Sequence, residues 1–301
     1  MTATPSSGAA TPERILRRLE WRVIRHLDGL FQGDYRTLFY GTGIDFADLR
    51  EYQPNDDIRH IDWNVTARMN SPYVRQYVED REITAWFLID RSPSMTFGPQ
   101  ERPKEQVLID FVGTLARLLS RNGNRMGAIL YNNRVERTIP PLSGRNQVLR
   151  LIRDLQRPGT PPRGAATNLA DLLNAGLNTF KRRALVFVLS DFISEPGWER
   201  PLALLNRRHE LIAVRLWDPR EETLPNVGML VVEDAETGEH LYIDTGDPAF
   251  RRRFQAVTAE RKATLQAQIK QAGVDLFSIS TEEGLTEAIV RMATLRKRRR
   301  A

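Results

Sequence analysis

The chain of 301 residues contains no cysteine, which excludes disulfides, thiol nucleophiles, iron–sulfur clusters and thiolate zinc sites. Its histidines lie far apart in the sequence, without the spacing of a metal site, at His26, His60, His209 and His240. A Gly-x-Ser-x-Gly nucleophile motif and a P-loop motif are also missing. We therefore expect no catalytic residues and a protein that is not an enzyme.

Long apolar runs are scarce as well. The longest are Ile83 to Ile89 and Ala184 to Leu189, which are far too short to span a bilayer. The first ten residues are small and polar and have no apolar signal segment. We expect a cytoplasmic protein without a membrane span.

The charge balance first suggests a nucleic-acid partner, because 44 Lys and Arg against 38 Asp and Glu give a net charge of +6. Five of these positive charges stand together from Arg296 to Arg300. A terminal charge run is usually solvated, so we expect a basic tail at residues 295–301 and no nucleic-acid binding. Binding of nucleic acid through that tail is kept as an alternative.

The first eighty residues predict a helix followed by short β segments. Thr11 and Pro12 are typical of a helix start, and apolar residues then recur at helical spacing up to Gly33. Tyr35 to Tyr40, Ile44 to Tyr52 and Tyr73 to Val78 have strand character. We expect a disordered terminus at 1–12 and a helix-plus-β module at 13–82.

From Ile83 onward, apolar runs alternate with amphipathic helices, which predicts a parallel sheet covered on both faces. Six strands are predicted: Ile83–Asp90, Met126–Tyr131, Val135–Ile139, Ala184–Ser190, Leu211–Leu216 and Val274–Ile279. The short link Asn132 to Arg134 makes the third strand an antiparallel edge strand. The predicted fold is α/β, with a doubly wound, mostly parallel six-stranded sheet at 83–294 and a β-hairpin inserted at about 219–247.

Hydroxyl and carboxylate side chains stand where two of these strands end. Asp90 closes the first strand and is followed by Ser92 and Ser94, Thr167 begins a helix, and Asp191 follows the fourth strand. Ligands of open α/β sheets bind where the strand order reverses, so these residues meet if the two strands are neighbours. Such oxygen ligands suit Mg²⁺, Mn²⁺ or Ca²⁺, although ordinary helix capping is the simpler interpretation. An ion held by so few anionic ligands would attract an acidic side chain of a partner protein.

The same residues resemble the metal-ion-dependent adhesion site of von Willebrand factor A domains, which is Asp-x-Ser-x-Ser followed by a distant Thr and a distant Asp. The resemblance extends from Ile83 to about Thr294. It implies that Ser92, Ser94 and Thr167 contact the ion by hydroxyl, and that Asp90 and Asp191 act directly or through water.

A second resemblance lies in the N-terminal region. The stretch from Gly43 to Trp63 reads GIDFADLREYQPNDDIRHIDW, and Thr66-Ala67-Arg68 follows. It is similar to the hallmark of an uncharacterised bacterial family in which this segment precedes an A-type domain. The genes of that family commonly accompany a MoxR-type AAA+ ATPase, which implies such an ATPase as partner. Members often carry transmembrane helices before the motif, and we expect no such tether here.

The charged residues of this segment suggest an ion-pair network around Trp63. Its predicted members are Arg50, Asp56, Asp57, Arg59, Asp62 and Arg68. The network would either attach the module to the sheet or contact a partner.

The sequence leaves three functions open. The first is a metal-dependent interaction module that acts as an adaptor of a MoxR-type ATPase in protein remodelling or complex maturation. The second is a metal-dependent phosphatase-like hydrolase with Asp90 as the nucleophile. The third is nucleic-acid binding through the basic tail.

Overall fold

The computed structural model describes residues 10–31, 49–54, 56, 58, 61–69, 71–75, 83–99, 101–159, 167–233 and 239–300. The helices among them are α1 (Pro12–Leu19), α2 (Arg25–Phe31), α3 (Trp63–Met69), α4 (Lys104–Arg121), α5 (Arg145–Leu155), α6 (Leu169–Thr179), α7 (Glu199–Arg208), α8 (Pro248–Gln271) and α9 (Leu285–Arg300). The strands are β1 (Leu49–Glu51), β2 (Tyr73–Arg75), β3 (Thr84–Asp90), β4 (Arg125–Tyr131), β5 (Val135–Leu142), β6 (Leu185–Ser190), β7 (Glu210–Trp217), β8 (Met229–Glu233), β9 (His240–Asp244) and β10 (Asp275–Ser280).

Six strands form the central sheet in the order β10-β7-β6-β3-β4-β5. Neighbouring strands are parallel except for β5, which runs antiparallel to β4 at one edge. The α/β fold with a mostly parallel six-stranded sheet and one antiparallel strand is therefore confirmed. The strand order reverses between β3 and β6, because the chain first builds outward through β4 and β5 and then returns to the other side of β3.

Helices cover both faces of this sheet, which explains why its central strands are apolar throughout. One face packs against α1, α2, α4, α5 and α9 in a core that includes Phe87, Phe111 and Phe187. The other face packs against α6, α7 and α8 around Leu88, Val186 and Trp198.

The N-terminal helices belong to this core rather than to a separate module. Thr11 caps α1 through its side chain, and a π-helical turn at Glu20–Ile24 joins α1 to α2. Leu16 and Leu27 are fully buried in the core under α4. Glu20 also pairs with Arg117 on α4 at 2.7 Å, so the predicted boundary at residue 82 does not separate this helix from the sheet.

Order begins earlier than the predicted disordered terminus at 1–12 implies. The carbonyl of Ala10 accepts a hydrogen bond from Gln156 Nε2 at 2.7 Å, and α1 starts at Pro12. Residues 1–9 lie outside the described part of the chain.

The predicted basic tail is also different. Helix α9 continues to Arg300, and Arg296 is buried and paired with Glu210 at the start of β7. The basic run from Arg296 to Arg300 therefore begins with a buried residue of α9. Arg296 is part of the folded core and not of a solvated tail.

Two small β units accompany the sheet. β1 pairs with β2 in antiparallel fashion, and they fall within the predicted strands Ile44–Tyr52 and Tyr73–Val78. The predicted strand Tyr35–Tyr40 and the remaining residues 44–48 and 76–78 lie outside the described residues. β8 and β9 form the predicted antiparallel hairpin, whose turn is likewise not described. In the described ranges, every helix is too short or too polar to cross a membrane.

Candidate metal centre

The residues predicted from strands one and four converge at the reversal of strand order. β3 and β6 are parallel neighbours, with Ile89 opposite Leu189, so Asp90 and the segment after β6 lie at the same edge. The chain leaves β3 through a short 3₁₀ turn, Pro93–Thr96, which carries Ser94. Local sequence favours that turn, since Pro93 fixes φ at its first position.

Asp90 is a buried carboxylate held by neutral donors. Its Oδ1 accepts from the backbone N–H of Ser92 at 2.9 Å, and its Oδ2 accepts from the Ser190 hydroxyl at 2.6 Å. Burial, followed by the charge of Asp191, raises the pKa of Asp90 to about 7, although the hydrogen bonds act in the opposite direction. Among the described ion pairs none involves Asp90, and the neighbouring Arg91 pairs with Glu136 instead.

Ser92 and Ser94 lie beside this carboxylate. Their hydroxyl oxygens are 3.0 Å apart, and both side chains are buried. Asp90, Ser92 and Ser94 thus lie together at the start of the connection that follows β3.

Asp191 has a different environment from Asp90, because it forms an ion pair with a lysine. Its Oδ1 accepts from the backbone N–H of Ile193 at 2.9 Å, and its Oδ2 accepts from Lys104 Nζ at 2.8 Å. Lys104 is fully buried at the start of α4, and its ammonium also donates to Glu221 at 2.5 Å. Burial alone would lower the pKa of Lys104, but Asp191 and Glu221 outweigh that effect and raise it.

Thr167 reaches the same edge through the segment that follows Asp191. Its backbone carbonyl accepts from the backbone N–H of Glu195 at 2.9 Å and from the Ser194 hydroxyl at 3.0 Å. Thr167 is buried. The structure therefore places it next to the β6 loop, while residues 160–166 before it are not described.

The turn after Asp191 has an uncommon backbone conformation. Phe192 has a φ of 59°, which is rare for a residue other than glycine. Its ring packs edge-on against Trp198, and its N–H donates to the Ser190 hydroxyl at 2.9 Å. These contacts hold a strained residue next to the site, a feature that is frequent where a backbone positions functional groups.

The donor set fits a hard cation at Asp90, Ser92 and Ser94. All three supply oxygen ligands, and a cation would relieve the cost of the buried Asp90 charge. Asp191 fits less simply, because its Oδ2 is already paired with the buried ammonium of Lys104. Within the described residues, no three His, Asp or Glu side chains come together as a metal-binding group, at this site or elsewhere.

The predicted network around Trp63 depends on side chains outside the described part of the N-terminal segment, so it stays a prediction. Trp63 is 70% exposed and Arg68 is exposed as well, whereas Asp62 is buried and accepts from the Val65 backbone N–H at 3.3 Å. Asp62 therefore supports the start of α3, and Asp56 accepts from the backbone N–H of Gln53 at 2.8 Å. The side chains of the other predicted members, Arg50, Asp57 and Arg59, lie outside the described part.

Sequence reasoning missed Lys104, Ser190 and Glu221. One signal was present for Lys104, since a lysine in the first turn of a helix opposes the helix dipole and needs a local reason. Ser190 stood next to Asp191 in the sequence, but nothing there indicated that its hydroxyl faces Asp90.

The sheet and the site together define a doubly wound α/β protein with a group of oxygen ligands at its switch point. The chain belongs to the family described as "Protein of unknown function DUF58", whose profile matches residues 48–264. Uncharacterized proteins of Mycobacterium bovis and Mycobacterium tuberculosis are 35% identical to it over 283 residues. That alignment covers 94% of this chain and 89% of each relative.

Solved structures with a similar fold include an aerotolerance-related membrane protein from Bacteroides fragilis, with a TM-score of 0.48 and 11% identity. That match covers 72% of this chain and 99% of the other. A von Willebrand factor type A protein from Catenulispora acidiphila has a TM-score of 0.36 and 10% identity, and the match covers 76% of this chain and 44% of the other. Scores this low carry no conclusion about function, and the sheet order above is the basis for the fold.

Proposed function

We propose that this chain is a metal-dependent protein-interaction module with a von Willebrand factor A-like fold. One observation carries the proposal: Asp90 is buried without a described cationic partner, beside the paired hydroxyls of Ser92 and Ser94, at the point where strand order reverses. Ligand sites of open α/β sheets lie at that point.

The proposed ion is Mg²⁺, with Mn²⁺ or Ca²⁺ as substitutes, since all three prefer oxygen ligands. Asp90, Ser92 and Ser94 would hold it, and Thr167 and Asp191 would complete its coordination directly or through water. The ion would supply positive charge for an acidic side chain of a second protein. The role proposed is binding rather than catalysis.

The proposed partner is a MoxR-type AAA+ ATPase, which the resemblance of residues 43–63 implies. In that role the chain would act in the cytoplasm as an adaptor in protein remodelling or complex maturation. The ATP chemistry would then belong to the partner.

The metal site is tested by denaturant unfolding of chelator-treated protein with and without Mn²⁺. Binding at about 100 times Kd is expected to add about 2.7 kcal/mol to the free energy of unfolding. Asp90→Asn should lose this gain, while Asp244→Asn, at an exposed aspartate of the β8–β9 hairpin, should keep it. An absent gain in the wild type, or an equal gain in Asp90→Asn, would contradict the proposal.

The partner is tested with a purified MoxR-type ATPase from the same genome. Binding should require Mg²⁺ and disappear with a chelator or with Asp90→Asn. Binding that survives both would show that the site does not mediate the contact. Metal-dependent turnover of a phosphoester that is lost in Asp90→Asn would instead favour a hydrolase.

A further inference from the structure

The buried ammonium of Lys104 is paired with Asp191, a carboxylate of the candidate metal centre. Lys104 Nζ lies 2.8 Å from Asp191 Oδ2 and 2.5 Å from Glu221 Oε1, and its side chain is fully inaccessible to solvent. A lysine ammonium has three donors and no acceptor, so this position commits two of them to carboxylates. Lys104 is therefore a positive charge built into the site.

The segment between β3 and α4 contains Ser92 and Ser94 and ends at Lys104, the first residue of α4. The backbone N–H of Lys104 donates to the Phe97 carbonyl at 3.1 Å, which closes the loop that begins at Asp90. The Lys104 ammonium lies 5.8 Å from the Phe97 ring centre. Ser92, Ser94 and Lys104 thus belong to the connection between β3 and α4.

The positive charge of Lys104 does not balance the negative charges around it. Asp90, Asp191 and Glu221 carry three negative charges when ionised, and Lys104 supplies one positive charge. The remaining formal charge of these four groups is −2, which matches a divalent cation. Two cations a few ångströms apart repel each other strongly in a buried site, so the lysine and the ion oppose each other.

We propose that Lys104 is a tethered counter-ion that competes with the divalent cation for Asp191 and so weakens metal binding. This inference rests on the proposed function, because it concerns the affinity of the same site. Lys104 acts here as a positioning and affinity-setting residue and not as a ligand.

Glu221 connects the competition to another part of the fold. Its Oε1 accepts from Lys104, and its Oε2 accepts from the backbone N–H of Asp218 at 3.0 Å. Asp218 caps the turn after β7 and also accepts from Thr281, which follows β10. When a divalent ion takes Asp191, Lys104 loses this partner and keeps Glu221, so its positive charge stays in the site.

The test measures the Kd of Mn²⁺ for the full chain by calorimetry and by electron paramagnetic resonance. Lys104→Met removes the charge at nearly constant length and should bind Mn²⁺ at least about tenfold more tightly. Glu221→Gln leaves Lys104 with Asp191 alone and should bind at least about threefold more weakly. Lys181→Met is the matched control at an exposed lysine after α6, and its Kd should equal that of the wild type.

The opposite directions separate competition from a structural role, because a packing defect would weaken binding in both variants. If Lys104→Met fails to fold, Lys104→Gln removes the same charge but keeps a side-chain N–H donor, and it should also bind Mn²⁺ more tightly than the wild type. Equal or weaker binding by folded Lys104→Met, or unchanged binding by Glu221→Gln, overturns the inference and leaves the metal site in place. Absence of Mn²⁺ binding in the wild type and in every variant overturns the proposed function and this inference together.

Discussion

At the scale of single residues, Asp90 and Asp191 show how neighbouring positions give identical side chains different partners. Both stand at the ends of neighbouring parallel strands, and both are buried. Asp191 has an ammonium partner, whereas Asp90 has a hydroxyl and a backbone N–H. Burial and the charge of Asp191 raise the pKa of Asp90 to about 7.

Asp90 should make metal-free protein less stable as the pH rises. Its pKa is about 7 in the folded chain against 3.8 for an exposed aspartate, so the unfolded chain releases the proton first. Stability from this group is therefore lost between about pH 4 and pH 7, by roughly 2–4 kcal/mol. Urea unfolding in the presence of a chelator across this range measures the effect.

Asp90→Asn is the matched variant for this prediction, because it keeps the shape and removes the titration. Its free energy of unfolding should equal that of the wild type near pH 4 and exceed it at pH 8. A difference between the two proteins that does not vary with pH would contradict the assignment of the raised pKa.

At the scale of elements, short-range chemistry accounts for several helix starts and for one hairpin. The N-cap at Thr11, the start of α8 at Asp247 and Pro248, and the β4–β5 hairpin all follow from short-range chemistry. The packing of α1 against the sheet core did not follow from its sequence pattern. An amphipathic pattern indicates that one helix face is buried, but it does not identify the element that covers this face.

The packing of α1 predicts a large difference between two leucines of the N-terminal helices. Leu16 is fully buried in the core, whereas Leu30 on α2 is 55% exposed. Leu16→Ala should lower the free energy of unfolding by about 2–5 kcal/mol, since it removes buried methyl groups and leaves a cavity. Leu30→Ala should change it by no more than about 0.5 kcal/mol. Similar losses for both variants in urea unfolding would show that α1 does not pack as described.

At the scale of the whole molecule, the sheet is covered by segments from both ends of the chain. α1 and α2 begin within the first 31 residues and α9 ends at Arg300, yet both contribute to the same core as α4. The pairing of Arg296 with Glu210 fixes the far end of that layer. The sheet domain therefore includes parts that precede its first strand by more than fifty residues of sequence.

Removal of residues 1–31 should destabilise the sheet domain and expose apolar surface. Leu19 and Ile24 would be lost from the core that also contains Leu115 and Phe111, which are fully buried in the intact chain. We expect a lower urea midpoint and increased binding of an apolar dye such as ANS. An unchanged midpoint without dye binding would indicate that the helices form an independent module.

The sequence by itself determined the alternation of strands and helices, the antiparallel edge strand and the place where Asp90, Ser92 and Ser94 stand. These features depend on periodicity and on residues close together in the chain, which a single sequence displays directly. Tertiary structure alone decided that Lys104 meets Asp191, 87 residues away, and that Arg296 meets Glu210, 86 residues away. Such contacts depend on which faces of distant elements pack together, and no local pattern records that choice.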